Sequence, residues 1–305
     1  MTMKCACGKK AVYHRRYSGQ RFCATCFNRY FERKVTDTIW KYKMMRRGER
    51  IAAAISGGKD STVLLHVLHS IAGERGIELQ AITVDEGIAG YKDPGLESAK
   101  RNCKELGVPL RTVSFEEEIG YSLDRISNKG QHKPCTYCGV FRRRLLETTA
   151  RELGADALAT GHNLDDEAQA ILMNYLTGDM ERLHRLNGST GSQTMIKRVK
   201  PLSRLPEKEV MLYALLNKLH FSHAQCPYAK TGYRTPVRDF LNNMESEHPG
   251  IKFSIVKGWE RITKQHLPEE GALGACTICG QATARNICRA CELTEEIKIK
   301  MSETN

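Results

Sequence analysis

The stretch RIAAAISGGKDSTVLLH (residues 50–66) runs from one apolar segment through Ser-Gly-Gly-Lys-Asp-Ser into another. RIAAAI (50–55) reads as a buried strand and the run from Asp60 to about Ser70 as a helix. Ser56, Gly57, Gly58 and Ser61 therefore fall where a strand turns into a helix. A glycine-rich turn of this kind lets backbone N–H groups face an anion, and the helix N-terminus adds positive potential. Ser56 and Ser61 add hydroxyl donors and Lys59 a point charge, so the turn is read as a seat for nucleotide phosphates. The pattern G-x-x-x-x-G-K-[ST] does not fit, because Ala53 stands five residues before Gly58 and Asp60 follows Lys59.

The segments around this turn alternate in kind. ELQAITV (78–84) and PLRTVSF (109–115) read as strands, and DPGLESAKRNCKELG (93–107) as a helix with Pro near its start and Gly at its end. A basic helix near 138–153, a strand ADALAT (155–160) and a helix from about Asp165 to Leu176 follow. This rhythm predicts an α/β fold, a doubly wound parallel sheet whose ligands bind beyond the C-terminal strand ends. ATGHNLDDEAQ (159–169) brings a second turn to that end. Asp165 and Glu167 read there as complements to the helix dipole, and Asp166 as a nucleotide-site residue acting through Mg²⁺.

The domain reading is a small cysteine module at 1–30, a linking amphipathic helix at 31–48, the nucleotide-binding domain at 49–265, a second cysteine module at 266–293 and a frayed tail at 294–305. Residues 180–193, rich in Gly, Ser and Asn, read as a loop. Forty-seven Lys and Arg against 35 Asp and Glu leave a charge of +12, which suits a polyanionic partner. No apolar run approaches the roughly 20 residues of a membrane span, and the N-terminus lacks an apolar signal core. A cytoplasmic location is expected, where 12 cysteines point to metal or redox chemistry before disulfides.

Eleven of those cysteines fall into three groups; Cys103, alone in a helical pattern, reads as a small buried side chain. Cys276, Cys279, Cys288 and Cys291 form two C-x-x-C knuckles, a closed structural zinc signature. Cys5, Cys7, Cys23 and Cys26 form a less regular set, with His14 as an alternative to one of the first pair. In the middle, Cys135 and Cys138 stand on a turn just before a helix, where Arg142 to Arg144 are expected to favour thiolate; Cys226 follows about 90 residues later. Three readings fit them: a zinc site completed by His132 or His223, a redox pair handling sulfur, or a 4Fe–4S cluster with one open iron.

S-G-G-K-D-S (56–61), C-T-Y-C-G (135–139), G-H-N-L-D-D-E-A (161–168) and Q-C-P-Y-A (225–229) occur in that order between the terminal modules. Together they resemble the TtuA/Ncs-type tRNA 2-thiouridine synthetases of the PP-loop ATP pyrophosphatase superfamily, over roughly residues 5–293. The resemblance implies ATP-dependent replacement of the C2 oxygen of a tRNA uridine by sulfur, through an AMP ester. Carried onto this chain, it places Ser56, Gly57, Gly58, Lys59, Asp60 and Ser61 on the ATP phosphates, Ala54, Thr83 and Gly161 along the adenosine, and Asp166 at the catalytic acidic position. It makes Cys135, Cys138 and Cys226 the ligands of a 4Fe–4S cluster whose fourth iron binds sulfide. In an older scheme a persulfide forms on one of these cysteines and another attacks it.

The implied partners are tRNA, a ubiquitin-like sulfur carrier or free sulfide, and a second copy in a homodimer; the implied cofactors are ATP with Mg²⁺, the cluster and two structural Zn²⁺. Wobble uridine 34 is the expected target, with uridine 54, cytidine thiolation, or a non-catalytic zinc-containing RNA-binding protein as alternatives. HRRYSGQR (14–21), KYKMMRRGER (41–50), FRRRL (141–145) and IKRVK (196–200) are the basic segments expected to track RNA.

Overall fold

The computed structural model describes residues 3–186, 195–231, 233–265 and 274–302. The chain opens with a hairpin of β1 (Tyr13–Arg15) and β2 (Gln20–Phe22), followed by α1 (Ala24–Lys41). Then come β3 (Arg50–Ala54), α2 (Lys59–Arg75), β4 (Glu78–Asp85), α3 (Lys92–Leu106) and β5 (Leu110–Ser114). Two short helices, α4 (Phe115–Ile119) and α5 (Leu123–Lys129), precede α6 (Pro134–Glu152) and β6 (Ala157–Ala159). The next elements are α7 (Leu164–Leu176), α8 (Met180–Arg185), β7 (Lys197–Val199) and α9 (Glu207–Leu216). Helices α10 (Arg234–Glu247) and α11 (Ile251–Gln265), strands β8 (Gly274–Ala275) and β9 (Ala282–Thr283), and helix α12 (Arg289–Ser302) complete the chain.

Strands β5-β4-β3-β6-β7 form one parallel sheet in that order. Alternate residues of β3 face opposite sides: Ile51 and Ala53 join one buried cluster with α1 and α2, while Ala52 packs with Ile82, Ala150 and Leu158. Both faces are covered, as a parallel sheet requires. The chain runs outward from β3 to β5, then crosses to β6 on the other side. Beyond the C-terminal ends of β3 and β6 lies the switch point where such sheets bind ligands. The expected doubly wound α/β fold is present.

The linking helix begins earlier than expected. Cys23 is its N-cap, and Phe27, Phe31, Val35, Thr38 and Ile39 bury one face, so α1 grows directly out of the first module. That module docks through a carboxylate. Glu209 on α9 is fully buried and accepts hydrogen bonds from the hydroxyls of Tyr13 (3.2 Å), Tyr17 (3.0 Å) and Tyr30 (3.3 Å). Burial raises its pKa, and the three hydroxyls compensate the charge.

The tail reading is corrected: residues 294–302 belong to α12, because Leu293, Ile297 and Met301 recur at fourfold spacing and are buried on one side. In the loop reading of 180–193, residues 180–185 are the helix α8 and 187–193 lie outside the described residues. The start of the second module at 266–273 and the tail end at 303–305 also lie outside them. Among the described residues, no helix is long and apolar enough to cross a membrane.

Candidate active site

The loop after β3 is shaped by contacts that exclude side chains. Gly57 has φ +79°, and a Cβ there would stand 1.9 Å from the carbonyl oxygen of Gly95; a Cβ on Gly95 would meet the Ser56 carbonyl at 2.7 Å. The start of α3 thus presses on the loop backbone. Ser61 Oγ accepts from the Ser56 N–H (3.2 Å), donates to the Gly58 carbonyl (2.9 Å) and lies 3.1 Å from Ser56 Oγ. Ser61 is buried and braces the turn, whereas Ser56 is exposed. Helix α2 starts at Gly58 without a side-chain cap, leaving its first N–H groups for a ligand.

Lys59 is engaged within the fold: its Nζ lies 2.7 Å from Glu207 Oε1 and 2.8 Å from Asp60 Oδ2. Asn163, which carried no role in the sequence reading, is the hub of the facing turn. Its Nδ2 donates to Asp60 Oδ1 (3.0 Å), its Oδ1 accepts from the N–H groups of Asp165 and Asp166, and its own N–H donates to Asp166 Oδ2 (3.1 Å). The reciprocal Asn163–Asp166 pair is a capping box for α7. Burial raises the pKa of both Asp60 and Asp166, and each is opposed by a neighbouring cation, Lys59 or Arg234. The proximity of Asp166 raises Asp60 further, so a divalent cation between the turns would relieve both carboxylates.

Gly161 packs on the start of α2, where a Cβ would lie 3.0 Å from Ser61 N. Ala54 and Thr83 sit at neighbouring ends of β3 and β4, and the fully buried Thr83 hydroxyl has no hydrogen-bond partner. His162 reaches solvent at the same turn. Packing of surrounding protein, then the charge of Lys200, pushes its pKa down to about 4. The dipole reading of Asp165 and Glu167 is incomplete: Asp165 is buried in an ion pair with Lys252 and accepts the Glu207 N–H, and Glu167 pairs with Lys200 (2.8 Å).

The central cysteines stand on a helix rather than on the turn before it. Pro134 occupies the first position of α6, whose missing N–H costs nothing there, so Cys135 and Cys138 lie three residues apart in the opening turns. Tyr137 between them is fully buried against Phe141 and donates to Glu296 Oε1 (2.6 Å). Cys135 Sγ reaches the Tyr228 carbonyl at 3.7 Å. The segment carrying Cys226 is tied to the phosphate loop, with the Ser222 N–H donating to the Gly57 carbonyl at 2.8 Å. Behind it, the His220 carbonyl accepts from Asn102 Nδ2 (2.8 Å) and Ser98 Oγ (3.0 Å).

The expected thiolate bias is overturned for two of the three. Burial pushes Cys138 up to about 11 against the pull of Arg142, and burial also raises Cys226. Arg142 is itself paired with Glu86 at 3.5 Å. His132 is held by Glu296 and Arg289.

Among the described residues, three or more metal-capable ligand atoms within 4.8 Å of one another occur only at the termini: Cys5, Cys7, Cys23 and Cys26, and Cys276, Cys279, Cys288 and Cys291. The Cys7–Cys23 and Cys279–Cys288 sulfurs stand 3.6 and 3.7 Å apart. Tetrahedral zinc with Zn–S bonds of about 2.3 Å sets its sulfurs ~3.8 Å apart, so both sets fit one ion. His14 is outside the first set. Backbone N–H groups pull Cys5 and Cys276 down to about 6. The central trio, with neither His132 nor His223 drawn in, does not meet this geometry. Thiolates on an iron–sulfur cube each bond a different iron and stand farther apart, and the wider convergence of Cys135, Cys138 and Cys226 suits that donor set.

A strand-to-helix phosphate loop at the switch point of a parallel sheet, faced by paired carboxylates, defines a nucleotide-binding protein of the PP-loop class. The family model for the PP-loop domain matches residues 27–245, and that for the N-terminal LIM domain of the 2-thiouridine synthetase TtuA matches residues 4–28. The "Cytoplasmic tRNA 2-thiolation protein 1" of Drosophila melanogaster is 41% identical over 298 residues, covering 96% of this chain and 87% of the relative. That of Drosophila ananassae is 40% identical over 301 residues, covering 97% and 88%. A solved structure, the U34-tRNA thiolase NcsA from Methanococcus maripaludis with its [4Fe-4S] cluster, superposes with a TM-score of 0.88 at 39% identity, covering 97% of this chain and 96% of that one. The chain belongs to the TtuA/Ncs-type tRNA 2-thiouridine synthetases.

Proposed function

We propose that this protein is a cytoplasmic enzyme that uses ATP to 2-thiolate a tRNA uridine, at the wobble position 34. The observation that carries the reading is the hydrogen bond from Ser222 to Gly57, which sets the Cys226 segment against the phosphate loop. Nucleotide and sulfur chemistry then share one end of the sheet. The names of the relatives, one specifying U34, support the target.

In this reading the α2 N-terminus and Ser56 take the ATP phosphates, and Lys59 exchanges Glu207 for them. Asp60 and Asp166 face the Mg²⁺ that accompanies ATP. The uridine C2 oxygen attacks the α-phosphorus, pyrophosphate leaves, and the oxygen departs as AMP when sulfur takes its place. Cys135, Cys138 and Cys226 would hold a 4Fe–4S cluster, which supplies an iron with an open coordination position for sulfide. Burial of Cys138 keeps water from that face of α6. The terminal cysteine sets hold two structural zinc ions. Sulfide, free or delivered by a ubiquitin-like carrier, is the donor, and a homodimer the working form.

Anaerobically purified protein, incubated with ATP, sulfide and unmodified tRNA, tests this by nucleoside mass spectrometry and sequence mapping. Formation of 2-thiouridine at position 34 with release of AMP and pyrophosphate is expected. Thiolation at position 54, 2-thiocytidine, or tRNA binding without ATP consumption would each sink the reading.

A further inference from the structure

Of the four basic segments, two are spent inside the fold. Arg142 pairs with Glu86, Arg144 reaches Cys291 Sγ (3.6 Å), Arg198 pairs with Glu147 (3.1 Å), and Lys200 with Glu167. The other two, 14–21 and 41–50, meet across a single groove. It encloses about 490 Å³ between the N-terminal hairpin, α1, α11 and the loop that follows β7. That volume is in the range of small-ligand sites.

Five cations and two carboxylates border it, and the cations are not alike. Arg204 is paired with Glu260, and Arg15 is bound by Ser18 and Gln20 while lying over the Tyr30 ring at 4.3 Å. Lys34, Lys41 and Lys257 make no ion pair among the described residues. Lys34 is half-buried, and burial, then the charges of Arg15 and Lys41, lowers its pKa. An anion placed there would relieve charge that the fold leaves unneutralised. Aromatic rings stand beside these cations: Tyr17 and Phe253 have centroids 4.9 Å apart, and Tyr42 lies beneath Arg204 at 4.8 Å. Unpaired ammonium groups next to ring faces are what a phosphate with its attached base requires. Arg204 lies four residues beyond Lys200, which faces the first turn of α7, so the groove continues from the end of the sheet where ligands bind.

We propose that this groove is a second RNA contact, holding a nucleotide of the tRNA other than the uridine being thiolated. Its phosphate lies toward Lys34 and Lys257, and its base lies against Tyr17 and Phe253. The inference rests on tRNA being the substrate. It separates a remote anchoring site from the reaction site, so the groove sets affinity for tRNA and not the rate of the bound complex.

The test is anisotropy of labelled tRNA across a salt series, with the metal-loaded protein. Lys34→Ala/Lys257→Ala is expected to bind tRNA at least tenfold more weakly and to flatten the slope of log K against log salt by about two, at nearly one per lost phosphate contact. KM for tRNA rises by a similar factor, while kcat at saturating tRNA, ATP binding, and iron and zinc content stay at wild-type values. Lys41→Ala/Lys257→Ala, both exposed, is expected to act in the same direction, and Lys298→Ala on α12 to change nothing. If wild type binds tRNA and both double variants bind it equally well with the same slope, the groove is not an RNA site. Wild type that binds no tRNA overturns the groove and the thiolation reading together. An unchanged tRNA affinity with an altered oligomer mass would give the groove to a protein contact and overturn the proposal as well.

Discussion

The chain gathers cysteines in two different ways, and the contrast between its ends and its middle is instructive. At each end four thiols come from a stretch of 16 to 22 residues and converge on one point, with backbone N–H groups already aimed at sulfur: the Cys288 N–H lies 3.2 Å from Cys276 Sγ. In the middle, two thiols come from the first turns of one helix and the third from a segment 88 residues beyond Cys138, whose place is fixed by the phosphate loop. The end sites are local structure that a metal closes. The central site is tertiary structure, so anything that disturbs the loop or its braces reaches the sulfur chemistry too.

The largest expected effect comes from deleting a ligand on each side. Cys226→Ala is expected to lose essentially all iron and to lower thiolation by more than a hundredfold, with both zinc ions and the melting temperature retained. Cys276→Ala is expected to do the reverse, losing one zinc and destabilising α12 while leaving iron in place. Metal analysis and thermal melts of both variants decide this, and zinc loss from Cys226→Ala would erase the distinction between the two kinds of site.

A middle-sized effect should follow from a residue that touches no metal ligand. Asn102 is buried, and its amide nitrogen holds the His220 carbonyl behind the Cys226 segment. Asn102→Ala leaves that acceptor unsatisfied, at a cost of about 1–3 kcal/mol. Denaturant unfolding should show the loss, and iron occupancy should fall while zinc does not. Full iron occupancy in a destabilised Asn102→Ala protein would show that the third thiol needs no such brace.

The smallest effect is a pH dependence. The His162 pKa is depressed from 6.5 to about 4, so between these values the unfolded chain binds more protons than the folded one. Its contribution is therefore complete above about pH 6.5 and is lost as pH falls toward 4. His162→Gln should flatten the stability slope in that window alone, measured by urea midpoints at several pH values. Because the ring reaches solvent the change should be modest, and a slope equal to wild type would remove His162 as its source.

What sequence could and could not disclose follows the same division. The phosphate loop was legible because its glycines are dictated locally: φ +79° at Gly57 excludes most side chains whatever surrounds it. The terminal quartets were legible because zinc fixes sulfur spacing, and spacing is written in the chain. Asn163 was visible as a turn residue only, since its partner Asp60 lies 103 positions away. Asp165 looked like a helix-start acid, and nothing near it in sequence announced Lys252. The C-terminal helix was missed because Glu and Lys dominate LTEEIKIKMS, although Leu293, Ile297 and Met301 keep fourfold register. Pairings made across the fold leave only residue types behind, not addresses.

The three tyrosines on Glu209 carry a consequence for how the molecule is made. Tyr13, Tyr17 and Tyr30 are among the first residues synthesised, and their acceptor follows 179 to 196 positions later. At about 5–20 residues per second that interval is roughly 10–40 s. Through it the first module has no docking partner and must keep its shape with its own four thiols and whatever metal they capture. Biosynthesis thus puts metal acquisition first and interdomain docking last, and a cell short of zinc would meet the defect while the chain is still on the ribosome.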